Sequence, residues 1–352
     1  MPSSPIPPSL QALQSLQSQV NLQPLTTFGL PACAHYYVLV TQLAQLQQLQ
    51  QLLMQPELAD LPRLVLGGGS NLILTCDFPG VVIHIALCGR ELVTEDAQHV
   101  YVRAAAGESW AEFVQWTLAQ GWGGLENLSC IPGSVGAAPM QNIGAYGVEI
   151  KDYFHSLSWM EFATGQVHQL DLHACQFGYR DSVFKQRLQA QGVILDVTFC
   201  LPKQWQAKLG YGDVAQALSH LSAPTAQQIS DAICVIRHSK LPDPNVIGNA
   251  GSFFKNPLVT AQLRNNLLQR YPQLVSYLQA DGSYKLAAGW LIEQAGWKGR
   301  ALGRVGVYPK QALVLVNLGA ASGAEVVAIA RAIQTDVALL FAVELEIEPV
   351  FV

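Results

Sequence analysis

Residues 121–147 read GWGGLENLSCIPGSVGAAPMQNIGAYG, and the way this stretch is housed decides the fold. Glycine, proline and asparagine recur too often for a helix or a strand, because glycine costs backbone entropy and proline removes a donor. The stretch is also too apolar for a loop in water. A long buried segment has to satisfy its N–H and C=O groups somewhere, since an unpaired one costs about as much as a lost hydrogen bond. Packing against a large cofactor rich in hydrogen-bonding atoms is one solution, and a structural crossover loop is the other. The residues alone leave both open.

Upstream, residues 65–71 read VLGGGSN and set three glycines and a serine at the end of an apolar strand pattern. Glycines let backbone N–H groups turn toward an anion, and Ser70 and Asn71 add donors. A pyrophosphate fits this pattern, and a tight surface turn is the plain alternative. It is no dinucleotide fingerprint, because Leu72 stands where the third glycine belongs, and no P-loop, because no Gly-Lys follows.

The rest of the chain sets the frame. At 352 residues it exceeds the size at which single cores stop growing, so two or three domains are expected. Half of the residues are hydrophobic and 13% charged, which suits a well-buried globular enzyme. The net charge of −5 comes with no basic block, which weighs against nucleic acid or an anionic membrane surface as the main partner and leaves room for a local anion site. The uncharged run 128–148 is broken by glycine and proline, so it reads as loop and not as a membrane span. The first Lys or Arg is Arg63, so no charged leader is expected and the cytoplasm is the expected compartment. The seven cysteines form no CxxC and read as small buried hydrophobes in a reducing compartment. No HExxH or HxxxH pair occurs, so no metal is expected, and no GxSxG elbow occurs.

Residues 1–9 are Pro/Ser-rich and expected to be disordered. Leu10, Leu13, Leu16 and Val20 recur at helical spacing, as do Leu43, Leu46, Leu49 and Leu53. Capping boxes open further helices at Ser109 with Glu112, Thr225 with Gln228, and Ser322 with Glu325. The helix after Thr225 aligns Ile229, Ile233 and Ile236. Strands are expected at 36–40, 63–66, 81–87, 100–105, 156–162, 193–200 and 343–347. This order is α+β, without a βαβα rhythm. The Pro-rich turn at 241–245 (LPDPN) is the best domain boundary.

The quoted stretch, from IPGSVG at 131 to AYG at 147, resembles the signature of the UDP-N-acetylenolpyruvoylglucosamine reductase (UDP-N-acetylmuramate dehydrogenase) family. GGGSN at 67–71 resembles its flavin-pyrophosphate loop. Downstream, FGYRDS at 177–182, YGD at 211–213, KLPDPN at 240–245, GNAGSFFKNP at 248–257, KLAAGWLIE at 285–293 and LEIE at 345–348 match in order. The resemblance runs from about residue 21 to the end. The YGD segment is similar to the longer type of member, with an extra tyrosine-bearing loop over the substrate.

The resemblance implies an α+β fold with a two-part FAD-binding domain and a smaller substrate-binding domain. Residues 21–240 would bind FAD and be completed by 330–352, residues 241–329 would bind substrate, and 1–20 would be a tail and helix. It implies NADPH-dependent reduction, through FAD, of the enolpyruvyl double bond of UDP-N-acetylglucosamine-enolpyruvate, giving UDP-N-acetylmuramate for peptidoglycan. The partners would be the UDP-sugar and NADPH, and a monomer without membrane insertion is expected. FAD would contact Gly67, Gly68, Gly69, Ser70, Asn71, Ile131, Pro132, Gly133, Ser134, Gly136, Ala137, Gln141, Asn142, Gly144, Ala145, Tyr146 and Gly147.

Reducing a double bond next to a carboxylate needs a hydride donor, cations for the developing enolate, and an acid. Arg180 would clamp the carboxylate with its fork, where a lone Arg would otherwise salt-bridge Asp181 or a neighbour. By the same resemblance Ser252 is the proton donor, although a serine after glycine is more often a cap. Its hydroxyl needs help from a cation such as Arg180 or Lys240. Glu348 would position the enolate or aid protonation, with Glu346 the alternative if the register is off by two. Glu344 reads as the polar face of an edge strand. Tyr211, Lys240, Asn256 and Gln311 would hold the UDP phosphates and uridine, and Lys255 the phosphates or the nicotinamide cofactor. Tyr308 stands where the family often has histidine, which puts a role for that side chain in doubt. Two other readings compete: a flavin oxidase, which needs neither Ser252 nor the UDP residues, and a catalytically dead sugar-nucleotide binder, against which Arg180, Ser252 and Glu348 argue.

Overall fold

Residues 16–352 are described by the computed structural model, and they divide into two compact units. The first holds the residues up to Asn21, Cys33–Gly69 and Phe78–Ser239. The second holds Leu22–Ala32, Ser70–Asp77 and Lys240–Val352.

In the first unit the near-continuous apolar runs Cys33–Val40 and Phe78–Ile85 pair in parallel, from Ala34 with Phe78 to Val40 with Ile85. Such runs suit strands covered on both faces, and Val38, Val40, Val81, Val82 and Ile83 are fully buried. The sheet order is Leu16–Asn21, Cys33–Val40, Phe78–Ile85, Arg63–Leu66. Its last strand therefore delivers the glycine triplet at 67–69. The Leu43–Leu52 helix buries Leu46 and Leu49 of the expected period, whereas Leu43 is exposed and the buried Leu53 lies just past its end.

A second, antiparallel sheet of this unit has the order Val167–Asp171, Phe154–Glu161, Gly192–Pro202, His99–Ala105, Arg90–Glu95. The Trp110–Ala119 helix follows its fourth strand, with Ser109 Oγ accepting from Glu112 N at 3.4 Å. Trp110 and Phe113 pack on Phe199, and Trp110 Nε1 donates to Leu128 O at 2.9 Å. That bond pins the beginning of the long irregular segment.

One helical expectation fails here. Leu16–Asn21 is a strand, antiparallel to Cys33–Val40 with Leu16 opposite Val38 and Val20 opposite Ala34. Its burial alternates, with Leu16, Ser18 and Val20 inward of the exposed Gln17, Gln19 and Asn21, so a period of two overrides the Leu spacing. Leu10, Leu13 and the disorder expected at 1–9 lie outside the described residues.

The second unit has a four-stranded antiparallel sheet, ordered Asn249–Ser252, Val314–Asn317, Val305–Val307, Ala301–Leu302. The Gly323–Phe341 helix opens on a complete Ser322/Glu325 capping box and buries Val326, Ile329, Ile333, Val337 and Phe341. The expected strand at 343–347 forms no ladder: Val343 and Leu345 are buried, and Ile347 makes an isolated bridge to Phe254. The last strand is Val350–Phe351, parallel to Leu72–Ile73. Residues 330–352 share one buried cluster with Leu286, Leu291 and Val305 and fall in the second unit, which also holds Ser70 and Asn71 of the expected flavin loop. Among the described residues no helix is long and apolar enough to cross a membrane.

Candidate active site

The two glycine-rich segments meet inside the first unit. A Cβ on Gly68 would lie 2.8 Å from Gly133 Cα, and one on Gly67 would collide with Ser134 Oγ. Only glycines permit this approach. Residues 135–141 wind as a 3-10 helix, and Val135 N and Gly136 N donate to Glu108 O and Ala106 O, each at 2.8 Å. Trp110 N donates to Gly133 O at 3.0 Å, so part of the segment's backbone is satisfied by protein. No carboxylate occurs at 67–71 or 131–147, and Gly67 and Gly68 leave no room for a side chain against Ser134 and Gly133.

The motif at 177–182 is bonded to this segment at three points. Ser182 Oγ donates to Met140 O at 2.7 Å, Asn142 Nδ2 to Gly178 O at 2.9 Å, and Arg180 Nη2 to Gly144 O at 2.7 Å. Arg180 stands at φ 55° with its guanidinium 5.5 Å from the Tyr179 ring. Asn142, at φ 44°, also donates to Glu149 Oε2 at 2.9 Å and accepts from Lys151 N at 3.2 Å. Its amide is spent inside the protein, which makes it a brace of the loop.

Tyr146 and Tyr211, far apart in sequence, meet edge to face with ring centroids 5.2 Å apart. Two residues that sequence reasoning missed support them. Buried Asn127 donates to both Tyr146 O and Lys208 O, at 2.9 and 3.0 Å. Trp205 Nε1 donates to Glu126 Oε1 at 2.8 Å, and Glu126 is 1% exposed. A lone Trp or Asn reads as core or turn, so only their pairing in space reveals the role.

The Ala226–Lys240 helix was legible through Ile229 and Ile233, which it buries. Its other contacts were not. Ser230 Oγ lies 2.8 Å from Ser129 Oγ, and Arg237 Nε donates to Cys130 O at 3.1 Å. Burial pushes the Arg237 guanidinium below its ordinary pKa, and a hydrogen bond to Tyr146 opposes the shift. Cys234 is disulfide-bonded to Cys130. This corrects the reading of the cysteines as uniformly buried hydrophobes: Cys175 is buried, whereas Cys76 and Cys88 are exposed. Among the described residues no three His, Cys, Asp or Glu side chains group as a metal site.

In the second unit, Ser252 is exposed at the end of its strand, after Gly251 at φ 69°. Residues 346–348 run antiparallel to 253–255: Lys255 N donates to Glu346 O at 2.9 Å and Glu348 N to Phe253 O at 3.0 Å. Glu348 thus lies opposite the residue that follows Ser252. Glu346 instead ion-pairs with Lys255, and its side chain is 71% exposed. That pairing occupies Lys255. Asn256 Oδ1 accepts from Ala288 N at 2.9 Å, and Gln311 Oε1 would be 3.1 Å from a Cβ on Gly289. Both amides therefore flank the first turn of the Ala288–Gln294 helix.

Residues 36–171 match the model of an FAD binding domain, and residues 243–352 match that of the UDP-N-acetylenolpyruvoylglucosamine reductase C-terminal domain. A relative of that name from Paraburkholderia phymatum is 55% identical over 94% of this chain and 95% of its own length. One from Pseudomonas putida is 55% identical over 95% and 98%. The crystal structure of the reductase from Thermus caldophilus superposes with a TM-score of 0.65 at 24% identity, covering 96% of this chain and 99% of that one. At that identity the superposition speaks for the fold.

Proposed function

The chain belongs to the UDP-N-acetylenolpyruvoylglucosamine reductase family, and on that premise we propose how its own residues carry the reaction. It is an FAD-containing, NADPH-dependent oxidoreductase of peptidoglycan precursor synthesis, reducing the enolpyruvyl double bond of UDP-N-acetylglucosamine-enolpyruvate to give UDP-N-acetylmuramate. Bound FAD, reduced by NADPH, supplies the hydride. Residues 21–240 are assigned to FAD and 241–329 to the sugar nucleotide, while 330–352, packed with the second unit, bring Glu348 to the chemistry. A monomer in the cytoplasm suits a chain with charged nucleotide substrates and no spanning helix among its described residues.

Gly67 to Asn71 and the contacts at 131–147 hold the flavin. Arg180 clamps the substrate carboxylate and stabilises charge developing beside it. The observation that carries this assignment is Arg180 Nη2 on Gly144 O, which fixes a cation onto the flavin loop. Ser252 delivers the proton, and because a hydroxyl is a weak acid a cation has to assist it. Glu348 orients the enolate. Tyr211, Lys240, Asn256 and Gln311 hold the UDP moiety.

The flavin assignment is tested at Gly68. Gly68→Ala pushes a methyl into the Gly133 backbone, an overpacking worth about 1–3 kcal/mol, so the FAD dissociation constant should rise roughly 5–150-fold. Equilibrium titration measures it, and unaltered affinity would move the flavin elsewhere.

Substrate anchoring is tested at Tyr211. Tyr211→Phe keeps the ring on Tyr146 but removes a hydroxyl assigned to a charged phosphate, a bond worth about 1.5–3 kcal/mol. KM for the sugar nucleotide should therefore rise roughly tenfold or more, with NADPH reduction of the flavin unchanged. A KM equal to the parent's would leave Tyr211 as a packing partner only.

A further inference from the structure

One face of the Ala226–Lys240 helix holds the entry to the glycine-rich segment by three kinds of contact. Ser230, Cys234 and Arg237 follow at intervals of four and three, the spacing of a shared helix face. Ser230 meets Ser129, Arg237 meets Cys130 O and Tyr146, and Cys234 is bonded to Cys130. Hydrogen bonds open and close thermally, but a disulfide opens only by chemistry. The bonded Cα atoms are 5.8 Å apart, within the range of an unforced bridge, across 104 residues of sequence. Both cysteines are partly exposed. Cys130 stands at φ 58° directly before Ile131, where the segment begins.

We propose that Cys130–Cys234 is a thiol–disulfide switch that sets how tightly residues 131–147, and with them FAD, are held. The proposal rests on the reading of that segment as the flavin loop. The co-reactant is a low-molecular-weight thiol. Its thiolate attacks one sulfur, forms a mixed disulfide and releases the other cysteine as thiolate; a second thiolate then displaces the first. Two RSH become RSSR, and two electrons and two protons arrive on Cys130 and Cys234. RSSR reverses the exchange. In a compartment that keeps thiols reduced, a bond of this kind is a sensor more often than a staple.

The closed bond preorganises the loop, so the oxidised form binds FAD more tightly. Linkage then requires FAD to protect the bond from reduction by the same factor. The test equilibrates holoenzyme in reduced or oxidised glutathione and follows FAD release by fluorescence, with alkylation and peptide mass mapping to count the thiols at 130 and 234. Couplings of this class are roughly 5–150-fold, and the reduced enzyme is expected to hold FAD that much more weakly. Cys234→Ser should behave as the reduced form in both buffers. Equal FAD affinity with the bond verified open and closed overturns the proposal. So does alkylation of both cysteines in the oxidised buffer, which would mean that the bond does not form. A protein that holds no FAD in either buffer removes the flavin reading and this inference with it.

Discussion

Ser252→Ala is expected to leave flavin reduction by NADPH at the parent rate and to slow flavin reoxidation by the sugar nucleotide roughly 10²–10⁴-fold, the contribution of a positioned acid. The first half-reaction requires only that the nicotinamide reach the flavin ring. In the second, hydride adds to one carbon and the neighbouring carbon must gain a proton. Ser252 is exposed where its strand ends, and the left-handed Gly251 before it turns the backbone there. Alanine preserves that backbone and removes only the hydroxyl. Stopped-flow absorbance should show fast bleaching with NADPH and very slow recolouring with substrate. Recolouring at the parent rate would reduce Ser252 to a cap and pass the proton to Glu348. Loss of bleaching would locate the damage in the flavin site.

Arg180→Lys keeps the charge and loses the fork, and kcat should fall about 10²–10³-fold, the scale of one lost transition-state donor. The plain alternative is a surface pair with Asp181 or a neighbour. Asp181 accepts from Ser182 N at 2.9 Å and from Gln186 Nε2 at 3.0 Å, while Arg180 reaches Gly144 O at 2.7 Å. A lysine ammonium cannot hold that carbonyl and a planar carboxylate together in one fixed geometry. Turnover within a few fold of the parent would return Arg180 to a structural brace of the loop.

The parts of the site that were legible in sequence are those whose chemistry is local. The glycines at 67–69 stand out in sequence, and the structure sets Ser134 against Gly67 and Gly133 against Gly68, where a side chain would not fit. Capping boxes at Thr225 and Ser322 close as written, because both partners lie within one turn. What stayed hidden depends on distance. No spacing rule pairs Cys130 with Cys234 across 104 residues. Nor does periodicity reveal that the Trp205 indole serves a buried Glu126. Leu16–Asn21 misled because leucines three apart satisfy a helix pattern, whereas the neighbouring strand decides which period wins. At 343–347 the alternation was real but pairing with 253–255 is limited to one bridge at Ile347, so burial survived without a ladder.

The measurement that tests the central claim most directly is an anaerobic visible spectrum of the purified protein through one full cycle. The expected result is a yellow protein whose flavin bands vanish with one equivalent of NADPH and return in proportion to added UDP-N-acetylglucosamine-enolpyruvate, with UDP-N-acetylmuramate as product. A protein without flavin that cannot be reconstituted, or one recoloured by oxygen and never by the sugar nucleotide, would contradict it.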